Sequence, residues 1–343
     1  MGTATDLQSG AAAPSASGLP LSRSSLAWRV NAEPTAFLGA GRALLLQVAH
    51  PGVGSGVEQH SSYASDPWGR LFNTADIMMK LSFGTPEQAR RQERVLRAKH
   101  RRVSGVTDDG TPYHALDPEL LLWVWATLVD TALLMYELVR SPLRPDEVVR
   151  YYEESKATAH ACGVPVGATP PSWGDFVDYV DAVVANDLRI SDAARAVAVA
   201  TAAFPIPVPE PLAWLAGAPT RVITTATLPP SLRERYGFSY DAATRLRFRA
   251  TIAALRVAST AQPAALRHLP AEIMLRRSRP VSFPALQVSG GRITTARIRA
   301  AGFEPGRSGT PSPRRPISGA PATHQSPTTH QTSATHQKGN AST

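Results

Sequence analysis

The sequence predicts an all-α protein, built as one helical domain between about residues 25 and 280. Three observations support this class. Apolar residues recur at spacings of three and four along this range. A proline stands at the start of most of these runs, as expected in the first turn of a helix. Sustained alternation of apolar and polar residues, which would predict strands, is missing from the sequence.

Proline positions and helical periodicity place the helices in order along the chain. Asp66 is the predicted N-cap of the third helix, with Pro67 at its first position. Short paired strands near Val106 and Tyr113, joined by a turn that ends at Gly110, predict one small hairpin. The predicted helices cover 34–50, 53–62, 67–83, 86–103, 118 to beyond 133, 145–163, 171–186, 192–203, 209–217, 220–227, 230–236 and 241–258.

Two flanking segments have a different composition from the helical body. Residues 1–24 are rich in Ala, Ser, Gly and Pro without periodicity, which predicts a disordered N-terminus. Residues 281–343 form a basic low-complexity tail with three Thr-His-Gln repeats. These repeats either bind metal weakly or belong to a linker, and we favour the linker. Deletion of 305–343 is expected to leave the melting temperature nearly unchanged.

The net charge of +9 is concentrated near the C-terminus. Ten basic residues and one acidic residue lie from Arg276 onward, whereas residues 1–275 hold 26 of each. The helical body is therefore neutral, and its composition does not predict a specific nucleic-acid-binding face.

A single cysteine, Cys162, excludes an internal disulfide and any cage of several cysteine ligands. The longest apolar run, Leu120 to Ala126, is shorter than the roughly 20 residues that span a bilayer. The first thirty residues show no secretory signal pattern. We therefore expect a cytoplasmic protein without a transmembrane segment.

Signatures of serine hydrolases, P-loop proteins and zinc proteases are absent from the sequence, so histidines are the first candidates for chemistry. His100 lies near the end of its predicted helix, on a face that carries both apolar and polar residues. Arginines and lysines occupy most of the remaining positions of this helix. A neutral imidazole inside a helical bundle can ligate haem iron, and nearby arginines can pair with haem propionates. The alternative is a core histidine that hydrogen-bonds a neighbour.

Two further groups of residues are candidates for a site. His50 and His60 lie ten residues apart across a Pro-Gly turn, where they either share a metal or serve as turn and cap residues. Arg70 and Thr74 lie four residues apart on one helix face beside Met78. A cation, a hydroxyl and a methionine in line favour a polar pocket with apolar walls.

Several short motifs along the chain form one pattern. The longer motifs are Gly41–Pro51 (GRALLLQVAHP), Gly56–Ser61 (GVEQHS), Asp66–Leu71 (DPWGRL), His100–Gly105 (HRRVSG), Tyr113–Pro118 (YHALDP), Ala126–Asp130 (ATLVD), Tyr151–Ser155 (YYEES) and Leu228–Arg233 (LPPSLR). Thr74, Phe83-Gly84, Trp123-Val124 and Tyr236-Gly237 belong to the same pattern. In these motifs the sequence resembles the family of rubber oxygenases (latex clearing proteins) and MpaB oxygenases, over about residues 25–280.

This resemblance implies a globin-related all-α fold that holds haem b, with His100 as the iron ligand. Arg70 and Thr74 match the pair that lines the distal side in rubber oxygenases. His50 and His60 become candidates for the same pocket or for propionate contacts. Two positions depart from the pattern: Asn73 stands where rubber oxygenases have a lysine, and Trp125 stands where many relatives have a histidine.

The resemblance therefore implies a haem-dependent oxygenase that uses dioxygen on a hydrophobic substrate, such as an unsaturated lipid or an isoprenoid. The alternative from a different class is a helical lipid- or ligand-binding protein that keeps the fold without turnover.

Overall fold

A computed structural model describes residues 20–60, 67–202 and 212–277, and this part of the chain is helical apart from one hairpin. A 3₁₀-helix, Pro34–Gly39, lies between the first two α-helices. The α-helices are α1 Leu26–Asn31, α2 Ala40–Val48, α3 Pro51–His60, α4 Pro67–Phe83, α5 Pro86–His100, α6 Pro118–Val139, α7 Pro145–Cys162, α8 Trp173–Asn186, α9 Asp192–Ala202, α10 Leu212–Thr227, α11 Pro230–Tyr236, α12 Ala242–Thr260, α13 Ala264–Arg267 and α14 Leu269–Arg276. The predicted all-α class is confirmed.

The centre of the fold is α6, which packs against the 3₁₀-helix, α2 and α7. Pro118 occupies its first turn, and apolar residues follow on all sides, as expected of a helix inside a core. By length and composition α6 could also cross a membrane, and 61% of its most apolar window is buried inside the protein.

Helices α4 and α5 form a tight hairpin that brings together two of the predicted site elements. Only Gly84 and Thr85 separate them, and the two helices pack against each other. Thr85 begins α5 with a capping box to Gln88.

The predicted β-hairpin is confirmed as β1, Ser104–Val106, and β2, Pro112–His114, which pair antiparallel with Gly105 opposite Tyr113. Gly110 adopts a φ of 87°, which the turn between the strands requires. Helix α5 ends three residues earlier than predicted because the following residues turn to enter β1.

Other helix boundaries also differ from the predictions. The predicted helix at 34–50 is divided into the 3₁₀-helix and α2. At this division Gly39 lies so close to α6 that a Cβ atom would be 2.5 Å from Cγ2 of Thr131. Helices α1, α13 and α14, of six, four and eight residues, were not predicted.

The predicted pair of helices at 209–217 and 220–227 is, from Leu212 on, one continuous helix, α10, with Pro219 inside it. Packing of α10 against α2 and α12 continues past this proline, so tertiary contacts hold the helix together. The predictions for residues 1–19, for the Asp66 cap and for 278–343 lie outside the described residues.

Candidate functional site

A mostly apolar cavity lies between the 3₁₀-helix, α4, α6 and α7. Its volume is about 180 Å³. Its apolar wall includes Phe37, Leu71, Met78, Met79, Phe83 and Leu128. Mostly apolar walls are typical of sites for small hydrophobic molecules.

Polar side chains also line the cavity, but other protein groups already bind them. A ligand inside the cavity therefore meets few free hydrogen-bonding groups on this wall. Thr131 accepts a hydrogen bond from Arg42 (2.7 Å), and the hydroxyls of Ser82 and Thr158 bond each other (3.0 Å). Four other side chains donate to backbone carbonyls: Ser155 to Tyr152 (2.7 Å), Trp125 to Ser155 (3.2 Å), Tyr151 to Val129 (3.3 Å) and Asn31 to Ala27 (2.8 Å).

Arg42 supports this wall from behind. Its guanidinium is buried, forms an ion pair of 2.6 Å with Asp130 and donates to the carbonyl of Thr227 at 2.9 Å. Arg42 thus joins α2, α6 and the end of α10. The sequence signal for this role was available, since a single arginine directly precedes the apolar run 43–46, but the role itself was not predicted.

Trp125 lies at the inner side of the cavity, where it is only 2% exposed. Its ring packs against Tyr152 and Phe176, with centroids 6.0 and 5.8 Å away. The position that departs from the family pattern is thus part of the cavity wall. Because aromatic rings stand behind it, the indole has little room to turn.

Thr74 lies at the cavity mouth, because it lines the cavity and is also exposed. Arg70 is exposed one turn earlier on the same side of α4. The predicted pair therefore shares one face, and its threonine borders the apolar space beside Met78.

His100 is not part of the cavity wall among the described residues. Its Nδ1 atom is buried and has no hydrogen-bond partner there. Burial lowers the pKa of His100 below its ordinary value of 6.5, and the charge on Lys99 and the nearby His114 lower it further. The imidazole is therefore neutral at neutral pH, as an iron ligand must be.

His50 has a similar environment in a different place. Its Nδ1 is also buried without a partner in the described part of the chain. Burial lowers the pKa of His50, although Asp187 and Glu119 oppose this effect. Both acids line the same second pocket as His50, so this histidine faces acidic side chains and not the apolar cavity.

His60 is exposed, and its Nε2 atom lies 2.9 Å from the carbonyl oxygen of Ser104 in β1. Helix α3 separates it from His50 by about 15 Å at 1.5 Å per residue, too far for the two to share a metal. Within the described ranges, no three His, Cys, Asp or Glu side chains are arranged to hold a metal ion.

The described part of the chain is thus an all-helical domain with a mostly apolar cavity, an arrangement that suits small hydrophobic molecules. Residues 28–257 match the family model described as ER-bound oxygenase mpaB/B'/Rubber oxygenase, catalytic domain. The chain belongs to this family, which confirms the resemblance identified in the sequence. Membership gives oxygenase as its general class of activity.

Two relatives carry no assigned function. They are uncharacterized proteins of Mycobacterium bovis and Mycobacterium tuberculosis, each 28% identical over 233 residues. The match covers 64% of this chain and 87% of each relative. No solved structure matches the chain.

Proposed function

We propose that this protein is a haem b-dependent oxygenase that uses dioxygen to oxidise an unsaturated hydrocarbon chain, in a lipid or an isoprenoid. The observation that carries the proposal is the apolar cavity whose polar wall groups are already bonded, with Thr74 at its mouth. An unbonded polar group in such a space would lose its hydrogen bonds to water without replacement. The cavity therefore suits an unbroken hydrocarbon segment.

The residues present fit a haem. His100 has a buried ring nitrogen without a partner in the described part, and burial keeps the ring neutral. It ends a helix that packs against the helix of Arg70 and Thr74. His100 would hold the iron, and His50, His60 or the α5 arginines would contact the propionates. A bound haem would supply the activation of dioxygen.

The protein's own residues would then bind and orient the reacting groups. The cavity wall would hold the hydrocarbon and exclude water from it. The Thr74 hydroxyl would donate a hydrogen bond to oxygen at the mouth, and the Arg70 guanidinium would stabilise negative charge that develops there. Trp125 would limit how far the chain enters.

We further propose that the helices have a globin-related arrangement and that the protein is located in the cytoplasm. The single cysteine, which leaves the chain without an internal disulfide, supports a reducing compartment. Cell fractionation with an antibody to the chain tests the location.

The second candidate is a lipid-binding protein without turnover. It is favoured by the two departures from the family pattern, Asn73 for a lysine near Thr74 and Trp125 for a histidine in the cavity. Hydrocarbon binding in the cavity requires neither of the replaced side chains.

The test is the haem content of protein expressed with added haem precursor, measured from the Soret band and the pyridine haemochrome. We expect one haem per chain in the wild type and loss of haem in His100→Ala, with helix content retained. The matched control is His160→Ala, because His160 bonds its own neighbour, the Val164 carbonyl, at 3.1 Å.

Three outcomes contradict parts of the proposal. Colourless wild type that still binds a fluorescent fatty acid supports the lipid-binding alternative. Haem retention in His100→Ala with loss in His50→Ala moves the ligand to His50. Equal loss in His100→Ala and His160→Ala shows general instability instead of loss of a ligand.

A further inference from the structure

Helix α12 carries an apolar stripe on the face opposite the core. Its inner face, with Ile252 buried, packs against α6 and α10. The outer face carries Leu246, Ala250, Ala253 and Val257 at helical spacing, and all four are exposed. Leu246 is 69% and Val257 is 72% exposed, about 16 Å apart along the helix.

Large exposed apolar side chains are few in the described ranges, and two of the nine lie on the outer face of α12. These two are Leu246 and Val257. Exposed apolar residues that share one helix face mark a candidate contact surface for another apolar body.

The charge of α12 indicates what kind of body this is. The helix has four arginines and no acidic residue in 19 positions. Arg247 and Arg249 flank the stripe on opposite sides and are exposed, and Arg247 also attracts the carboxylate of the N-cap residue Asp241. A second copy of the same stripe would bring arginines against arginines, so a negatively charged partner is favoured over self-association.

We propose that the outer face of α12 binds the surface of a bilayer that contains anionic lipids. Leu246 and Val257 would enter the boundary between headgroups and acyl chains, and Arg247 and Arg249 would contact lipid phosphates. An apolar stripe with flanking basic residues and no acidic residue is the pattern of helices that lie in this boundary. The proposal does not depend on haem or turnover.

Helix α5 provides a charge-matched comparison. Arg90 and Arg94 are exposed on it, but none of the exposed large hydrophobics of the described ranges lies on α5. Binding driven by charge alone would involve both helices, and the eight basic residues of 278–343 as well. Insertion of an apolar stripe would involve α12 only.

The first experiment places an environment-sensitive thiol fluorophore on the full chain through Val257→Cys. The control is Val166→Cys, because Val166 is 88% exposed in a loop. Burial raises the pKa of the native Cys162 thiol to about 12, so its labelling is slow at neutral pH. Phosphatidylcholine–phosphatidylglycerol vesicles should shift the emission to the blue at 257 and leave it unchanged at 166. No shift at 257, or equal shifts at both positions, overturns the proposal.

The second experiment measures co-sedimentation with the same vesicles and with phosphatidylcholine alone. Leu246→Ser with Val257→Ser, and separately Arg247→Gln with Arg249→Gln, should each weaken binding by about tenfold or more. Arg90→Gln with Arg94→Gln removes the same charge from α5 and should bind nearly as wild type. Wild-type binding by the double serine variant overturns the proposal and assigns binding to charge elsewhere in the chain.

Discussion

The Nη1 atom of Arg42 donates a hydrogen bond of 2.7 Å to Oγ1 of Thr131, on the wall of the apolar cavity. The same guanidinium forms an ion pair with Asp130, one residue before Thr131 on α6. One buried cation therefore satisfies a polar wall group and ties α6 to α2. The cavity keeps its apolar character because Arg42 bonds this hydroxyl from outside it.

Arg42→Met should lower the free energy of unfolding by about 3 kcal/mol, since breaking a buried pair leaves the remaining groups without a partner. This loss of free energy is at the lower end of the range for a broken buried ion pair, because the Asp130 side chain is 27% exposed. Urea denaturation measures the change. Arg90→Met, on the exposed side of α5, should stay within about 0.5 kcal/mol of wild type. An equal effect at the two positions would contradict the supporting role.

Trp125→His should change which chains the cavity accepts. In the wild type, a fatty acid with a mid-chain hydroxyl should bind about tenfold more weakly than stearate, because its hydroxyl stays unbonded. The imidazole provides a partner and frees volume, so this preference should shrink. Trp125→Phe, which stays apolar, should keep the preference. Displacement of a fluorescent fatty acid measures both affinities, and an unchanged ratio in Trp125→His rules out a wall role in selectivity.

Arg70→Ala should reduce turnover by about tenfold to hundredfold if its guanidinium stabilises charge on oxygen, since a charge-assisted hydrogen bond contributes about 1.5–3 kcal/mol. Thr74→Val removes only a hydroxyl and should have a smaller effect. Both variants should keep their haem. Oxygen affinity and turnover are measured beside haem content. Unchanged values in both variants remove them from the distal site, and haem loss in Arg70→Ala assigns that arginine to a propionate.

Acidification should destabilise the protein just below pH 6.5, because the pKa values of His50 and His100 are lowered from that value in the folded state. As pH falls through this value, the unfolded chain takes up protons first, so the free energy of unfolding decreases. The double variant His50→Gln with His100→Gln should flatten this slope. Urea denaturation at several pH values tests it, and an unchanged slope would show that other groups control the dependence.

Most helix starts could be predicted from the sequence because they depend on local chemistry. Pro86, Pro118 and Pro145 each occupy the first turn of a helix in the structure, as predicted. The hairpin at Ser104–His114 was predicted for the same reason, since its turn residues are adjacent in sequence. Local signals did not predict the continuation of α10 through Pro219, where packing overrides the preference of a single residue.

The candidate site was predicted only in part. The spacing of Arg70 and Thr74 placed both on one face of α4, and the structure agrees. The structure packs α5, which ends at His100, against α4, while the role of His100 as an iron ligand stays a prediction. The cavity itself could not be predicted, because its wall combines residues that are far apart in sequence, such as Phe37 and Trp125.

The sequence by itself determined the helical class, the family and the polar pair on α4, because periodicity, proline positions and short motifs are properties of neighbouring residues. Only the tertiary structure decided that Trp125 and Thr131 share a wall, that Arg42 bonds this wall from outside, and that the α12 stripe is exposed. The physical reason is that burial and hydrogen-bond satisfaction depend on which helices pack together. That packing brings distant residues into contact, and local patterns do not contain this information.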